Sequence, residues 1–245
     1  MRLLLLAGTP EARQIGSVLS RDARVWAVAS IARPSSPLPH PMNLPMRIGG
    51  WGSDAAFAEW LLRERISAVL DATHPFASKI SHRTAAVCQD LGVDYLQFMR
   101  PTWAPGDGDT WVFLNEEADA AHHVDKDAIV YLMTGQRRME AFLSLNPRQV
   151  YVRLPGRPTA AFPFEHGRYD WVVGATSVNA EVERLHGIGA SWVIARNSGG
   201  VHGMPVLDAA RHLGLTVGMI RRPPPPEAPR VQTIAEALAW VRRRL

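Results

Sequence analysis

The chain has 245 residues, 47% hydrophobic and 20% charged, and a formal net charge of +4 from 27 Lys plus Arg against 23 Asp plus Glu. That much apolar content supports a buried core and excludes a disordered chain, and the length suits two domains of about 100–150 residues. The single cysteine, Cys88, excludes an internal disulfide framework and a thiolate zinc cluster, so a reducing cytoplasm is the expected location and no metal is expected.

Lysine occurs only at 79 and 126, so the basic balance is almost all arginine, whose fork suits carboxylates and phosphates. The arginines are scattered apart from Arg242 to Arg244 and form no aromatic-interleaved stripe, so nucleic acid is not an expected partner. The opening apolar run, Leu3 to Ala7, stops at Gly8, far short of the roughly 20 residues of a membrane span, and neither a membrane nor a secretion signal is expected.

In chain order, short apolar runs alternate with amphipathic stretches, the pattern of βαβ units and parallel sheets. Arg2–Ala7 reads as a buried strand that breaks at Gly8-Thr9-Pro10 and opens a helix over Glu11–Ser20. A glycine turn feeding a helix N-terminus is a phosphate-binding geometry, although the full Gly-x-Gly-x-x-Gly fingerprint is absent. Val25–Ala29 is the next strand. Dinucleotide enzymes that use the unphosphorylated cofactor place an acid about 20 residues after the first glycine. Here the position is filled by Ser30-Ile31-Ala32-Arg33, a hydroxyl and a guanidinium, which suits a ribose 2′-phosphate and predicts NADPH over NADH.

Gly49-Gly50-Trp51-Gly52 then precedes a helix over Ser53–Arg65; such a cluster marks close backbone approach or a tight turn carrying an exposed Trp51. The strand Ala68–Asp71 delivers Asp71, Thr73 and His74 into one loop at its carboxyl end, where parallel sheets bind ligands. His74 titrates near neutrality and is the candidate proton donor, with Thr73 as its hydrogen-bonding partner; Asp71 is read as a group that fixes the loop. A helix over Ser78–Leu91 and a strand over Tyr95–Phe98 lead to Arg100–Asp109, whose Pro101, Pro105, Gly106 and Gly108 mark a domain boundary.

The second half repeats the design. Strands are expected at Ile129–Met133, Val150–Leu154, Trp192–Ala195 and Thr216–Ile220, and helices at Arg137–Leu143, Val178–His186, Pro205–Leu213 and Thr233–Arg244. Two strands end in glycine loops, Thr134-Gly135 and Arg196-Asn197-Ser198-Gly199-Gly200, the second suited to a carboxylate-bearing ligand. Pro223 to Pro226 forms a rigid spacer before the last helix. No tyrosine is followed four positions later by lysine, which disfavours the Tyr-x-x-x-Lys dehydrogenases, and neither a Gly-x-Ser-x-Gly elbow nor a Gly-Lys-Ser/Thr phosphate loop occurs.

Taken in order, Ala7-Gly8-Thr9-Pro10-Glu11-Ala12-Arg13, Gly49-Gly50-Trp51-Gly52, Asp71-Ala72-Thr73-His74-Pro75-Phe76-Ala77, Arg100-Pro101-Thr102-Trp103, Asn197-Ser198-Gly199-Gly200 and Leu207-Asp208-Ala209-Ala210-Arg211 resemble the precorrin-6A reductase family of cobalamin biosynthesis. The resemblance implies an α/β protein of two doubly wound, Rossmann/flavodoxin-like parallel-sheet domains, 1–101 and 102–245, with NADPH on the first and precorrin-6A in a cleft between them. It implies hydride transfer from NADPH to one carbon of a conjugated bond and a proton to its neighbour, giving precorrin-6B. Gly8, Thr9, Glu11, Ala12, Ser30 and Arg33 are then the expected nucleotide contacts, joined by Gly49, Gly50, Thr73, Thr134 and Gly135. Arg100, Arg153 and Arg196 are expected to clamp substrate carboxylates, with Asn197, Ser198, Gly199 and Gly200 beside them, and His74 and Thr73 to serve catalysis. A cation stands before Asn-Ser-Gly-Gly, as Arg196, where family members often have lysine; Val206 stands where they often carry a second one. A monomer making transient contacts with neighbouring pathway enzymes is the expected state. A non-catalytic NADPH-binding sensor or scaffold, or a reductase of another carboxylated substrate, are the alternatives.

Overall fold

A computed structural model describes residues 1–32, 42–136, 138–146 and 148–245. The chain divides into two compact units, 1–101 with 223–245, and 102–222.

The first unit is built on a six-stranded parallel sheet of β1 (Arg2–Leu6), β2 (Trp26–Ile31), β3 (Met46–Ile48), β4 (Ala68–Asp71), β5 (Asp94–Phe98) and β12 (Arg230–Val231). The strand order is β3-β2-β1-β4-β5-β12, so the winding reverses between β1 and β4. Leu3 to Leu6 are all buried because both faces of the sheet are covered, which is why β1 reads as a continuous apolar run. Leu3 and Leu5 pack into one core with Ile15, Leu70, Leu96 and Trp240, while Leu4 and Leu6 pack into the other with Phe57, Leu61, Val69 and Val87. The helices are α1 (Pro10–Leu19), α2 (Asp54–Arg63), α3 (Ser78–Leu91) and α7 (Ile234–Arg242). Each start except that of α3 has a side-chain cap: Thr9, Ser53 and Thr233 accept the N–H of Ala12, Ala56 and Glu236.

The C-terminal segment corrects the sequence reading. Residues 223–245 belong to the first unit rather than the second. Ala237, Trp240 and Val241 complete the core around Leu3 and Leu5, and Arg230–Val231 extends the sheet beside Gln97 and Phe98.

The second unit carries another six-stranded parallel sheet of β6 (Thr110–Leu114), β7 (Ile129–Leu132), β8 (Gln149–Leu154), β9 (His166–Trp171), β10 (Trp192–Arg196) and β11 (Thr216–Ile220), in the order β6-β11-β10-β7-β8-β9. Its winding reverses between β7 and β10. Tyr131, Val193 and Val217 form one face of its core with Leu185 from α5 (Val178–Gly187) and Leu207 from α6 (Met204–His212). The helix expected over Arg137–Leu143 is instead a 3-10 helix, Met139–Leu145, after Arg138 at a left-handed φ of 63°; a short α-helix, α4 (Ala120–His123), precedes it. Entry through a left-handed residue breaks the helical run at the point where the sequence pattern starts it.

Candidate functional site

In open parallel sheets a ligand binds outside the carboxyl ends of the strands, where the winding reverses. In the first unit that point is the loop pair after β1 and β4. Thr9, buried, ties the two loops together: its Oγ1 accepts the Ala12 N–H (3.1 Å) and donates to the Ala72 carbonyl (2.9 Å). Gly8 faces the second loop with clearance, since a Cβ there would first meet the His74 amide nitrogen at 4.0 Å. Among the described residues the N–H groups of Gly8, Thr9 and Glu11 donate to no protein acceptor. The turn therefore offers amides and the positive end of α1. Glu11, in the first helical turn, would oppose an anion there, but Arg100 pairs with it at 2.7 Å and cancels its charge. The acid expected at the nucleotide and the arginine expected at the substrate are thus partners of each other.

The β4 loop is organised by Asp71, fully buried. Its Oδ1 accepts the Thr73 N–H (3.0 Å) and the Thr73 hydroxyl (2.7 Å), and its Oδ2 accepts the Tyr95 hydroxyl (2.8 Å). Burial, then the Asp71 charge, hold the Tyr95 phenol well above its ordinary range and push the Cys88 thiol up to about 12. Held in this way, the loop presents His74 with its Nδ1 accepting the Phe76 N–H at 3.2 Å. A nitrogen that accepts an amide proton carries none itself, so in the neutral ring the proton sits on Nε2.

The turn after β3 shares this end of the sheet. Gly49 has φ +119° and donates its N–H to the Ile31 carbonyl, a backbone state that requires glycine. Gly50 has neither a positive φ nor any atom within 4 Å of an added Cβ. Trp51 is buried rather than exposed, packed on Phe57 (4.7 Å) and Trp60 (4.8 Å). Ser30 is buried at the end of β2, and Arg33 lies outside the described residues.

In the second unit the corresponding loops follow β7 and β10. The Thr134 hydroxyl is buried without a hydrogen-bond partner among the described residues, and Gly135 follows at φ +70°. Arg196 pairs with buried Glu117 at 2.8 Å and donates to the Thr134 carbonyl at 3.4 Å. Asn197 turns inward: its amide donates to the Trp103 carbonyl (2.9 Å) and accepts the Trp103 N–H (2.8 Å). It thus pins the chain at the start of this unit, and the Gly200 carbonyl adds a second tie by accepting the Trp103 indole N–H (2.9 Å); Gly199 and Gly200 take φ of +67° and +82°. Arg153 lies in a buried network on β8, bonded to Glu181 (2.7 Å), Tyr131 (3.3 Å) and Thr176 (3.3 Å). Burial holds the Tyr131 phenol above its ordinary range, with Arg153 pulling the other way. Tyr95, Glu117 and Glu181 are the partners that motif reading missed, and only tertiary pairing reveals them.

Among the described residues no group of three or more His, Cys, Asp or Glu is arranged to hold a metal, and no helix is long and apolar enough to cross a membrane.

The family model described as "Precorrin-6x reductase CbiJ/CobK" matches residues 2–242. The chain belongs to this family. It is 35% identical to a precorrin-6A reductase of Rhodococcus erythropolis, over 98% of this chain and 97% of the relative. It is 34% identical to that of Rhodobacter capsulatus, over 98% and 95%. A solved CobK precorrin-6A reductase superposes with a TM-score of 0.90 at 33% identity, covering 99% of this chain and 96% of its own.

Proposed function

We propose that this member of the family reduces one double bond of precorrin-6A to give precorrin-6B, with NADPH as the reductant. The observation that carries the reading is the match to precorrin-6A reductases over nearly the whole chain.

The first unit fits a dinucleotide. Its strand order is that of the dinucleotide-binding fold, and the β1–α1 turn supplies amides at the reversal point. Glu11 is neutralised, and Gly8 and Gly50 leave room for a ligand to touch the backbone. When bound, the nicotinamide supplies the hydride. What this chain supplies is position and a proton. The Asp71–Thr73 bonds fix the loop, and His74 presents its Nε2 proton from a ring oriented by the Phe76 amide. The orphan Thr134 hydroxyl marks a place where a ligand group would find a donor or acceptor. Arg196 and Arg153 already meet acids, so they act on the substrate side by holding the loops rather than by clamping carboxylates directly.

The test is oxidation of NADPH with enzymatically prepared precorrin-6A, metal-free and cobalt-containing, followed by absorbance and product mass, with NADH as control. A product richer by two hydrogens, formed with NADPH, is expected. Tight NADPH binding without turnover of either form would turn the reading to a sensor. In the same assay His74→Ala is expected to lower kcat about 10²-fold while dinucleotide affinity holds, the scale of general-acid help. Full turnover by that variant would remove His74 from the mechanism.

A further inference from the structure

Arg47 differs from the arginines already placed at the strand ends. Arg100, Arg153 and Arg196 each meet a carboxylate at 2.7–2.8 Å. No carboxylate lies within ion-pair distance of Arg47 among the described residues. Its guanidinium is nevertheless fixed: one nitrogen donates to the Gly49 carbonyl (2.6 Å), another to the Gly50 carbonyl (2.7 Å), and its carbon sits 3.5 Å from the centre of the Trp51 ring. Trp51 is itself anchored between Phe57 and Trp60, so the platform under the cation is part of the core. A guanidinium has five N–H donors, and two carbonyls use two of them. Three donors and a whole positive charge are therefore held rigid with no acceptor anion. Burial lowers the group's pKa from its ordinary value, as expected for a cation without a counter-charge.

Its position says which anion would suit. Arg47 pairs in register with Ser30 across β2 and β3, so the two side chains leave the sheet on the same face, at the carboxyl end of β2. In a sheet of this winding the end of β2 reads the ribose of a bound dinucleotide, whereas the β1–α1 turn takes the pyrophosphate.

We propose that Arg47, beside Ser30, takes the ribose 2′-phosphate of NADPH, so that preference for the phosphorylated cofactor resides in the β3 turn. The inference rests on the NADPH reading above and locates its selectivity. Phosphate would complete the guanidinium's donor set as a charge-assisted, forked contact, with Trp51 behind the plane and the open side of Gly50 leaving room for the ligand.

The experiment measures Kd of the full chain for NADPH, NADH, 2′,5′-ADP and 5′-AMP, in the unmodified protein and in Arg47→Gln and Arg47→Lys. Arg47→Gln is expected to weaken NADPH and 2′,5′-ADP about 10–100-fold, the worth of a charged hydrogen bond, and NADH and 5′-AMP less than about threefold. Equal loss across all four ligands would show that Arg47 only props the glycine turn or stacks on adenine, and would overturn the proposal, as would no loss. Should Arg47→Gln fail to fold, Arg47→Lys decides: it keeps the charge but not the fork, so the NADPH-to-NADH affinity ratio is expected to fall several-fold. An unchanged ratio overturns the inference. If the unmodified protein shows no preference for NADPH, the cofactor reading falls with it; a preference that both variants retain overturns the Arg47 assignment alone.

Discussion

The loops at the ends of the two sheets differ in electrostatic construction. In the first unit the loops after β1 and β4 are held by a threonine strut and by one buried carboxylate that accepts only neutral donors, with the Arg100–Glu11 ion pair beside them. The nearby cation, Arg47, has carbonyls and a ring for company. In the second unit the loops are held by ion pairs, Arg196 with Glu117 and Arg153 with Glu181. The contrast shows that an arginine at a strand end is not thereby a ligand-binding arginine. What matters is whether its charge is already matched within the protein, because a matched fork has little left to offer an incoming anion.

The sharpest way to break this comparison is to unmatch a pair. Glu181→Ala leaves Arg153 a largely buried cation without its acid, and is expected to cost about 3–5 kcal/mol of stability, read as a shift in urea midpoint. A loss under about 1 kcal/mol would mean that Asp170 or solvent takes over and that the network is looser than its distances indicate. The neutral-donor site should suffer less. Asp71→Asn keeps the shape but forces a donor against the Thr73 or Tyr95 hydroxyl, for an expected loss of about 1–3 kcal/mol together with slower turnover, since His74 rides on the same loop.

Smaller still is the cap of α7, where Thr233 and Glu236 hold each other's backbone N–H groups. Thr233→Ala is expected to cost about 1 kcal/mol, measured as a lower Tm. Hydrogen bonds from Thr233 and Gln232 lower the Glu236 pKa, so its contribution is present above the ordinary carboxylate pKa and is lost as pH falls through the lowered one. The gap between the two proteins should narrow on acidification. The mildest effect concerns Cys88: with its thiol pushed up to about 12, iodoacetamide at neutral pH should leave the native protein unlabelled and modify it once unfolded.

Much of the fold was legible because parallel strands covered on both faces read as unbroken apolar runs; Leu3 to Leu6 and Trp192 to Ala195 are clear examples. The strands that escaped had weaker signals for physical reasons. β3 has three residues and β12 two, while edge strand β9, His-Gly-Arg-Tyr-Asp-Trp, is polar because part of it faces solvent. β6 does carry an apolar run, Trp111 to Leu114, overshadowed by the glycine- and proline-rich segment before it. At the site, glycine turns, caps and the Asp71-Thr73-His74 loop could be read from local spacing. Which arginine meets which acid could not: Arg100 finds Glu11 and Arg196 finds Glu117 across long stretches of chain, and such pairs leave no local pattern.

One consequence follows from the return of residues 223–245 to the first unit. The second unit is continuous in the chain, whereas the first is interrupted by it. During synthesis from the N-terminus, β1 to β5 emerge early, but β5 lacks its outer neighbour and the Leu3–Leu5 core lacks Trp240 until residues 230–241 arrive. The sheet ascribed to the nucleotide is therefore begun before the second unit and finished after it. Through that interval its open edge is the part of the nascent protein most in need of protection from other chains.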